Sequence, residues 1–196
     1  MKRIFDIILS GCGLIVLSPL FFILAIWIKL DSKGPIFYKQ IRVGKNNKNF
    51  KLYKFRSMRI GADKAGLITI GGHDPRVTHS GYFIRKYKLD EFPQLINVLI
   101  GDMSLVGPRP EVRKYVEMYT EDQMHVLDVR PGITDLASIR YRNENDLLEK
   151  AENPDQYYID VIMQDKLKIN LDYVKNHSFM YDIKLIFGTF WAIVSE

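Results

Sequence analysis

Asp90 and Glu91 stand side by side in FIRKYKLDEFPQLINVLIGDMSLVGPRPE, residues 83–111. Arg85, Lys86 and Lys88 come just before them, and the rigid turn Gly107-Pro108-Arg109-Pro110 comes soon after. Carboxylates set among fixed cations suit chemistry on a phosphate ester. A helix N-terminus offers unsatisfied N–H groups to an anion, and Arg85 and Arg109 could clamp phosphate oxygens in a bidentate fork. Magnesium is usually held by one or two carboxylates plus substrate phosphates, and Asp90, Glu91 or Asp102 could supply them. An ionised aspartate can also attack phosphorus to form an acyl phosphate. Helical neighbours point about 100° apart, so Asp90 and Glu91 are not interchangeable. Each residue also has a plain structural use. Asp90 can cap a helix, Arg109 can bond the carbonyls of its own turn, and Asp102 can cap the turn after Gly101. The four histidines, at 73, 79, 125 and 177, have no ligand spacing and read as non-catalytic, and no Walker loop, GxGxxG, HExxH or CxxC occurs.

Several elements must hold these groups in place. After the hinge at residues 31–35, IFYKQIRVG and FKLYKFRSM flank the polar loop 45–49, the pattern of a β-hairpin. Residues 59–80, with Gly71-Gly72, read as loop with short elements. A helix is expected from Asp90, with Pro93 in its first turn, where proline is tolerated. Phe92, Leu95, Ile96 and Leu99 have the spacing of one buried face. Further helices are expected over about 110–118, from about 121, and over about 154–176, with a turn at 130–134. The C-terminal FMYDIKLIFGTFWAIV is aromatic-rich and too short to span a bilayer. It reads equally as a helix lying on lipid headgroups or as core packing.

The N-terminus sets where this chemistry takes place. No residue from Ile7 to Ile28 is charged, a length that could cross a bilayer. Ser18-Pro19 sits in its middle, and proline removes a backbone donor and kinks or breaks a helix. Both flanks are basic, with Lys2 and Arg3 before and Lys29 and Lys33 after, which places both ends on the cytoplasmic side. A helix–break–helix that enters one leaflet and returns fits these features; a kinked single-pass helix is the other reading. The run is too long for a cleaved signal peptide and lacks its cleavage site. The formal net charge of +5 over 196 residues points to an anionic partner. No long Lys/Arg block favours nucleic acid. A single cysteine, Cys12, excludes an internal disulfide.

These motifs together resemble the small monotopic phosphoglycosyl transferases, a bacterial sugar transferase family. In order they are the KRxFD start with Ser18-Pro19, GPIFYKQIRVG, KFRSM, DPRVT, KLDEFPQLINVLIGDMSLVGPRPE and RPGIT, and they cover nearly the whole chain. The resemblance implies transfer of a sugar 1-phosphate from a UDP-sugar to a polyprenyl (undecaprenyl) phosphate, with UMP released. That would be the first membrane step of glycoconjugate synthesis. It assigns Asp90 as nucleophile and magnesium ligand, with Mg²⁺ as cofactor, and Glu91 as its assistant. Arg85 and Arg109 match phosphate-binding positions, with Lys54 and Arg56 of KFRSM close to the site, and Ser18-Pro19 matches the helix break. The expected fold is mixed α/β and mostly helical. It has a re-entrant anchor at residues 1–30 and a cytosolic catalytic domain at 31–196, with a small hairpin sheet and interfacial helices. The enzyme would sit on the cytoplasmic face of the bacterial inner membrane, in the minimal catalytic form of its family. After RPGIT many relatives continue GWAQVNGR, where this chain reads DLASIRYR; if that segment touches nucleotide or sugar, specificity does not carry over by analogy. The alternative is a membrane-tethered phosphohydrolase working through an aspartyl-phosphate, against which stands the lack of its Asp-x-Asp signature. A non-catalytic adaptor binding anionic lipid would leave the ordered acid–arginine motifs without a purpose.

Overall fold

The computed structural model describes residues 1–62, 66 and 74–194. The Gly71-Gly72 pair and His73 lie outside the described residues. The apolar N-terminal run forms one helix, α1 (Lys2–Asp31), followed by the hairpin β1 (Phe37–Val43) and β2 (Asn49–Phe55). The strands pair antiparallel from Phe37 opposite Phe55 to Val43 opposite Asn49. Asn46 and Asn47 take the left-handed conformation in the connecting turn, which asparagine tolerates better than most residues.

The chain continues through α2 (His79–Lys86), a 3₁₀ turn (Leu89–Glu91), α3 (Gln94–Ile100) and β3 (Ser104–Val106). Next come α4 (Arg113–Val116), α5 (Glu121–Met124), β4 (Gly132–Thr134), α6 (Leu136–Arg140), α7 (Glu144–Glu149) and α8 (Pro154–Tyr157). A π-helical turn (Tyr158–Ile162) leads directly into α9 (Met163–Asn176), and α10 (Phe179–Val194) closes the chain. The helical stretch expected over 154–176 is therefore continuous. Residues 130–134 do more than turn: β4 pairs in parallel with β3, Ser104 opposite Gly132 and Val106 opposite Thr134. Two three-residue strands carry too little periodicity to be read in advance.

Ser18 and Pro19 lie inside α1 rather than between two separate helices. Pro19 has no N–H to give the carbonyl of Ile15, four residues back. The Ser18 hydroxyl donates to that same oxygen at 2.7 Å, so the helix loses a backbone bond there without leaving its acceptor bare. Charged residues fasten both ends of α1 to the same globular body. At the start, Lys2 Nζ donates to the Val106 carbonyl at 2.9 Å and pairs with Asp182. Arg3 donates to the carbonyls of Val98 and Leu99, at 2.6 and 3.0 Å, at the C-terminus of α3. Asp6 accepts from the Ser104 hydroxyl and the Leu105 amide. At the far end, Asp31 accepts from the Ser80 amide and hydroxyl. Leu24 and Ile28 pack with Phe55 and Ile84.

The buried face of α3 is not the expected one. Gln94, Asn97 and Val98 are buried, while Leu99 is exposed and Leu95 and Ile96 are half-buried. The polar face wins because β2 needs partners: Asn97 accepts from the Tyr53 amide and donates to the Lys51 carbonyl. The apolar side turns instead toward α1, where Leu95 Cδ1 lies 3.2 Å from where a side chain at Gly13 would begin. A second core, with Val112, Leu148, Tyr158, Ile162 and Leu167, joins α9 to the rest. In α10, Asp182 and Leu185 are buried while Phe179, Phe187 and Trp191 are exposed. It thus packs on the core and keeps an aromatic outer face.

Candidate active site

Three elements converge on the acid pair. β2 carries Lys54, the turn after α2 carries Asp90 and Glu91, and the turn after β3 carries Arg109. Asp90 is not the N-cap of α3, because it sits inside the 3₁₀ turn and Pro93 takes the cap position. That turn follows Lys88, whose backbone is left-handed at φ 54°. A residue with a Cβ adopts this at a cost of about 1–2 kcal/mol, and such strain gathers at functional turns.

Arg109 is held with similar tightness. Gly107 donates to the Thr134 carbonyl at 3.1 Å and Gly132 to the Pro108 carbonyl at 3.0 Å. The two backbones are so close that a Cβ on Gly132 would lie 2.1 Å from the Gly107 nitrogen. GPRP and RPGIT are thus two sides of one backbone contact, and glycine at 107 and 132 is what permits it.

The adjacent carboxylates have different roles. Arg109 grips Glu91 with both arms, Nη1 to Oε2 at 3.1 Å and Nη2 to Oε1, while Lys54 Nζ donates to Oε1 at 3.1 Å. Burial pushes the Glu91 carboxyl up, but Arg109 and Lys54 outweigh it and hold Glu91 well below the usual carboxylate range. Arg109 is raised in turn by Glu91. Lys54 is lowered by its burial, against the pull of Glu91. Asp90 is 8% exposed, and among the described residues nothing donates a hydrogen bond to it. Burial raises its pKa, while Lys54, Arg85 and Lys88 pull the other way. A buried carboxylate that no described residue bonds is available to a ligand in a way Glu91 is not.

Arg85 therefore lies within electrostatic reach of Asp90, and Lys54 and Arg109 are drawn together by Glu91. The DPRVT segment orients α2: Arg76 Nε bonds both oxygens of Asp74 at 2.9 and 3.0 Å, and Thr78 caps the helix by accepting from the Gly81 amide at 3.0 Å. Arg56 is not brought to this cluster. Its guanidinium donates to the carbonyls of Ile28, Ser32 and Lys33 at the end of α1, which fixes the anchor. Asp102 accepts from Asn97 at 3.4 Å, beside the left-handed Gly101. Glu111 was not singled out by its sequence context, yet it accepts from Tyr158 and bonds Arg42, tying the hairpin to the π-helical turn. Its position directly after PRP was the available signal.

No group of three or more His, Cys, Asp or Glu residues forms a metal cage among the described residues. Asp90 fits the other kind of magnesium site, one carboxylate completed by substrate phosphates, since its oxygens are not taken by protein donors.

A family model described as bacterial sugar transferase matches residues 1–196. The chain is 39% identical over 193 residues to the UDP-glucose:undecaprenyl-phosphate glucose-1-phosphate transferase of Escherichia coli (strain K12), covering 96% of this chain and 39% of that protein. It is 41% identical over 206 residues to the exopolysaccharide production protein PSS of Rhizobium leguminosarum bv. phaseoli, covering 100% of this chain and 94% of that one. It is also 37% identical to a UDP-N-acetylgalactosamine-undecaprenyl-phosphate N-acetylgalactosaminephosphotransferase of Aeromonas hydrophila, over 44% of that protein. The chain thus spans about two fifths of the E. coli relative. The match from first residue to last, with the acid pair and its arginine joined in space, places this chain in the bacterial sugar transferase family.

Proposed function

We propose that this chain transfers a sugar 1-phosphate from a UDP-sugar to a polyprenyl phosphate at the membrane surface. The observation that carries the reading is Asp90: buried, without a hydrogen-bond donor among the described residues, and within electrostatic reach of Lys54, Arg85 and Lys88. An Asp90 oxygen attacks the β-phosphorus of the donor. The bond from that phosphorus to the bridging oxygen breaks, and the oxygen leaves with UMP. A phosphate oxygen of the lipid acceptor then attacks the same phosphorus, breaking its bond to Asp90 and returning the carboxylate. The product is a polyprenyl diphosphate sugar. Lys54, Arg85 and Lys88 offset the charge of the diphosphate and pull the Asp90 pKa down against the upward push of its burial. Glu91 holds Arg109 and Lys54 in place. Magnesium, held by Asp90 together with the donor's phosphates, would neutralise phosphate charge.

Two features support placement at a membrane. The 30-residue helix α1 is long and apolar enough to cross a bilayer, yet both of its ends are fastened to the same domain. A helix that enters lipid and returns to one face, bending at Ser18-Pro19, satisfies both. Exposed Ile8, Phe22 and Leu30 on α1, with Phe179, Phe187 and Trp191 on α10, would lie in the lipid. That would seat the domain that follows α1 on the cytoplasmic face of the inner membrane, where the soluble donor and the lipid phosphate meet.

The test is UMP release by lipid-reconstituted protein with Mg²⁺, a panel of UDP-sugars, and polyprenyl phosphate present or absent. Sustained release that requires the lipid supports transfer. Sustained release without it would favour the phosphohydrolase, and no release with any donor would overturn the reading.

A further inference from the structure

A narrow recess lies against Arg109, the side chain that also grips Glu91. Asp135, Ser138, Tyr158, Lys166 and Asn170 line it along with Arg109 itself. The recess and the acid pair share the Arg109 side chain. Most of the polar groups around it are already committed. Asp135 caps α6 by accepting from the Ser138 amide and hydroxyl, Lys166 pairs with Glu144, and Tyr158 donates to Glu111. Asn170 is the exception. It is 7% exposed, and its Oδ1 is buried with no hydrogen-bond partner. Buried polar atoms are almost always paired, so an orphan acceptor lining a polar recess beside the reacting centre marks a place for a ligand's donor. The π-helical turn Tyr158–Ile162 contributes Tyr158 to the lining, and such turns are frequent at functional sites.

Resting on the transferase reading above, we infer that this recess reads the sugar of the donor, with Asn170 Oδ1 accepting from a hydroxyl or an amide N–H on the hexose. Attack by Asp90 puts the donor's β-phosphorus at the acid pair. The sugar hangs from that phosphorus through a single oxygen, which brings it within reach of Arg109 and of the recess beside it. The nucleotide leaves in line with the attacking Asp90 oxygen while the sugar's oxygen stays on the phosphorus, so the recess discriminates among sugars and not among bases.

The experiment compares the wild-type chain with Asn170→Leu, which keeps the branched shape, though it is bulkier, and removes the acceptor, and with Ser138→Ala. Each is reconstituted in lipid and assayed with UDP-glucose, UDP-galactose, UDP-N-acetylglucosamine and UDP-N-acetylgalactosamine. Asn170→Leu is expected to lower kcat/KM for the preferred donor by about threefold to tenfold, the worth of one neutral hydrogen bond. The loss falls mainly in KM, is smaller for the other donors, and leaves inhibition by UMP unchanged. An equal fall for all four donors, or a matching loss of UMP affinity, would overturn the inference and leave lipid-dependent transfer standing. If Asn170→Leu does not fold, Ser138→Ala is judged by the same two outcomes. Absence of transfer by the wild-type chain with every donor would overturn both readings.

Discussion

Asp90 and Glu91 are adjacent in the chain yet meet opposite surroundings: Glu91 takes both arms of Arg109 and the Lys54 ammonium, while Asp90 takes no hydrogen bond from the described residues. The pair divides into a group that organises cations and a group left open to react. Arg109 and Lys54 arrive from different elements, so the division is a product of the fold.

Replacing the open group should separate activity from stability. Asp90→Asn is expected to lower turnover roughly a thousandfold or more, as loss of a nucleophile does. Burial raises the folded-state pKa of Asp90, so the folded protein binds this proton more tightly than the unfolded chain, and stability falls as pH rises through that value. The asparagine variant escapes this cost. It should melt higher than wild type at pH 7, and the gain should vanish below about pH 4, the unfolded carboxyl value. For the same reason the acid limb of wild-type kcat/KM should lie above that ordinary value. A variant with near-normal turnover would rule out the covalent step.

Glu91→Gln should behave in the opposite sense. The folded pKa of Glu91 is depressed, so its contribution is present above the unfolded value and is lost as pH falls through the folded one. Removing the charge strands Arg109 and Lys54. Breaking a fully buried pair costs about 3–5 kcal/mol, and part-exposure of the Arg109 side chain argues for the lower end, about 3 kcal/mol at pH 7. Thermal melts across pH should show the gap to wild type closing in acid. A gap constant with pH would mean that the charge is not the cause.

Gly132→Ala tests the backbone contact that holds Arg109. The added methyl would meet the Gly107 nitrogen at 2.1 Å, and backbone cannot rotate out of the way as a side chain does. We expect a loss of about 3 kcal/mol, the upper range for overpacking, with activity falling further than the fraction unfolded explains. A melting temperature within a degree of wild type would show that the two turns tolerate separation.

The Ser18–Ile15 bond is best measured by a double-mutant cycle. Ser18→Ala leaves the Ile15 carbonyl without a donor and should cost about 1 kcal/mol. In the Pro19→Ala background the backbone N–H returns, and the same substitution should cost close to nothing. Equal costs in both backgrounds would mean that the hydroxyl does not replace the missing amide. Urea titration in lipid discs gives the four stabilities.

Much of the chain was legible in sequence because the signals are local. The hairpin follows from aromatic and β-branched residues around an Asn-rich loop, the apolar helix from its uncharged length, and the acid pair from its basic flanks. Two parts misled. The periodicity of Phe92, Leu95, Ile96 and Leu99 marks a face that an apolar α1 and lipid can take, whereas the deeper face carries Asn97, because the Tyr53 amide and Lys51 carbonyl need a polar partner. Arg56 lies two residues past Lys54 and just beyond the end of β2 at Phe55, where the chain has left the strand, and its fork meets the end of α1.

By itself the amino-acid sequence determined which groups are available: a carboxylate pair, the cations around it, a long uncharged helix, and a serine placed one residue before its proline. Only the tertiary structure decided which carboxylate remains free. Lys54, Glu91 and Arg109 lie 37 and 18 residues apart, and charges that far apart along a chain act on one another only once folding has brought them within a few ångströms and excluded the water that would screen them.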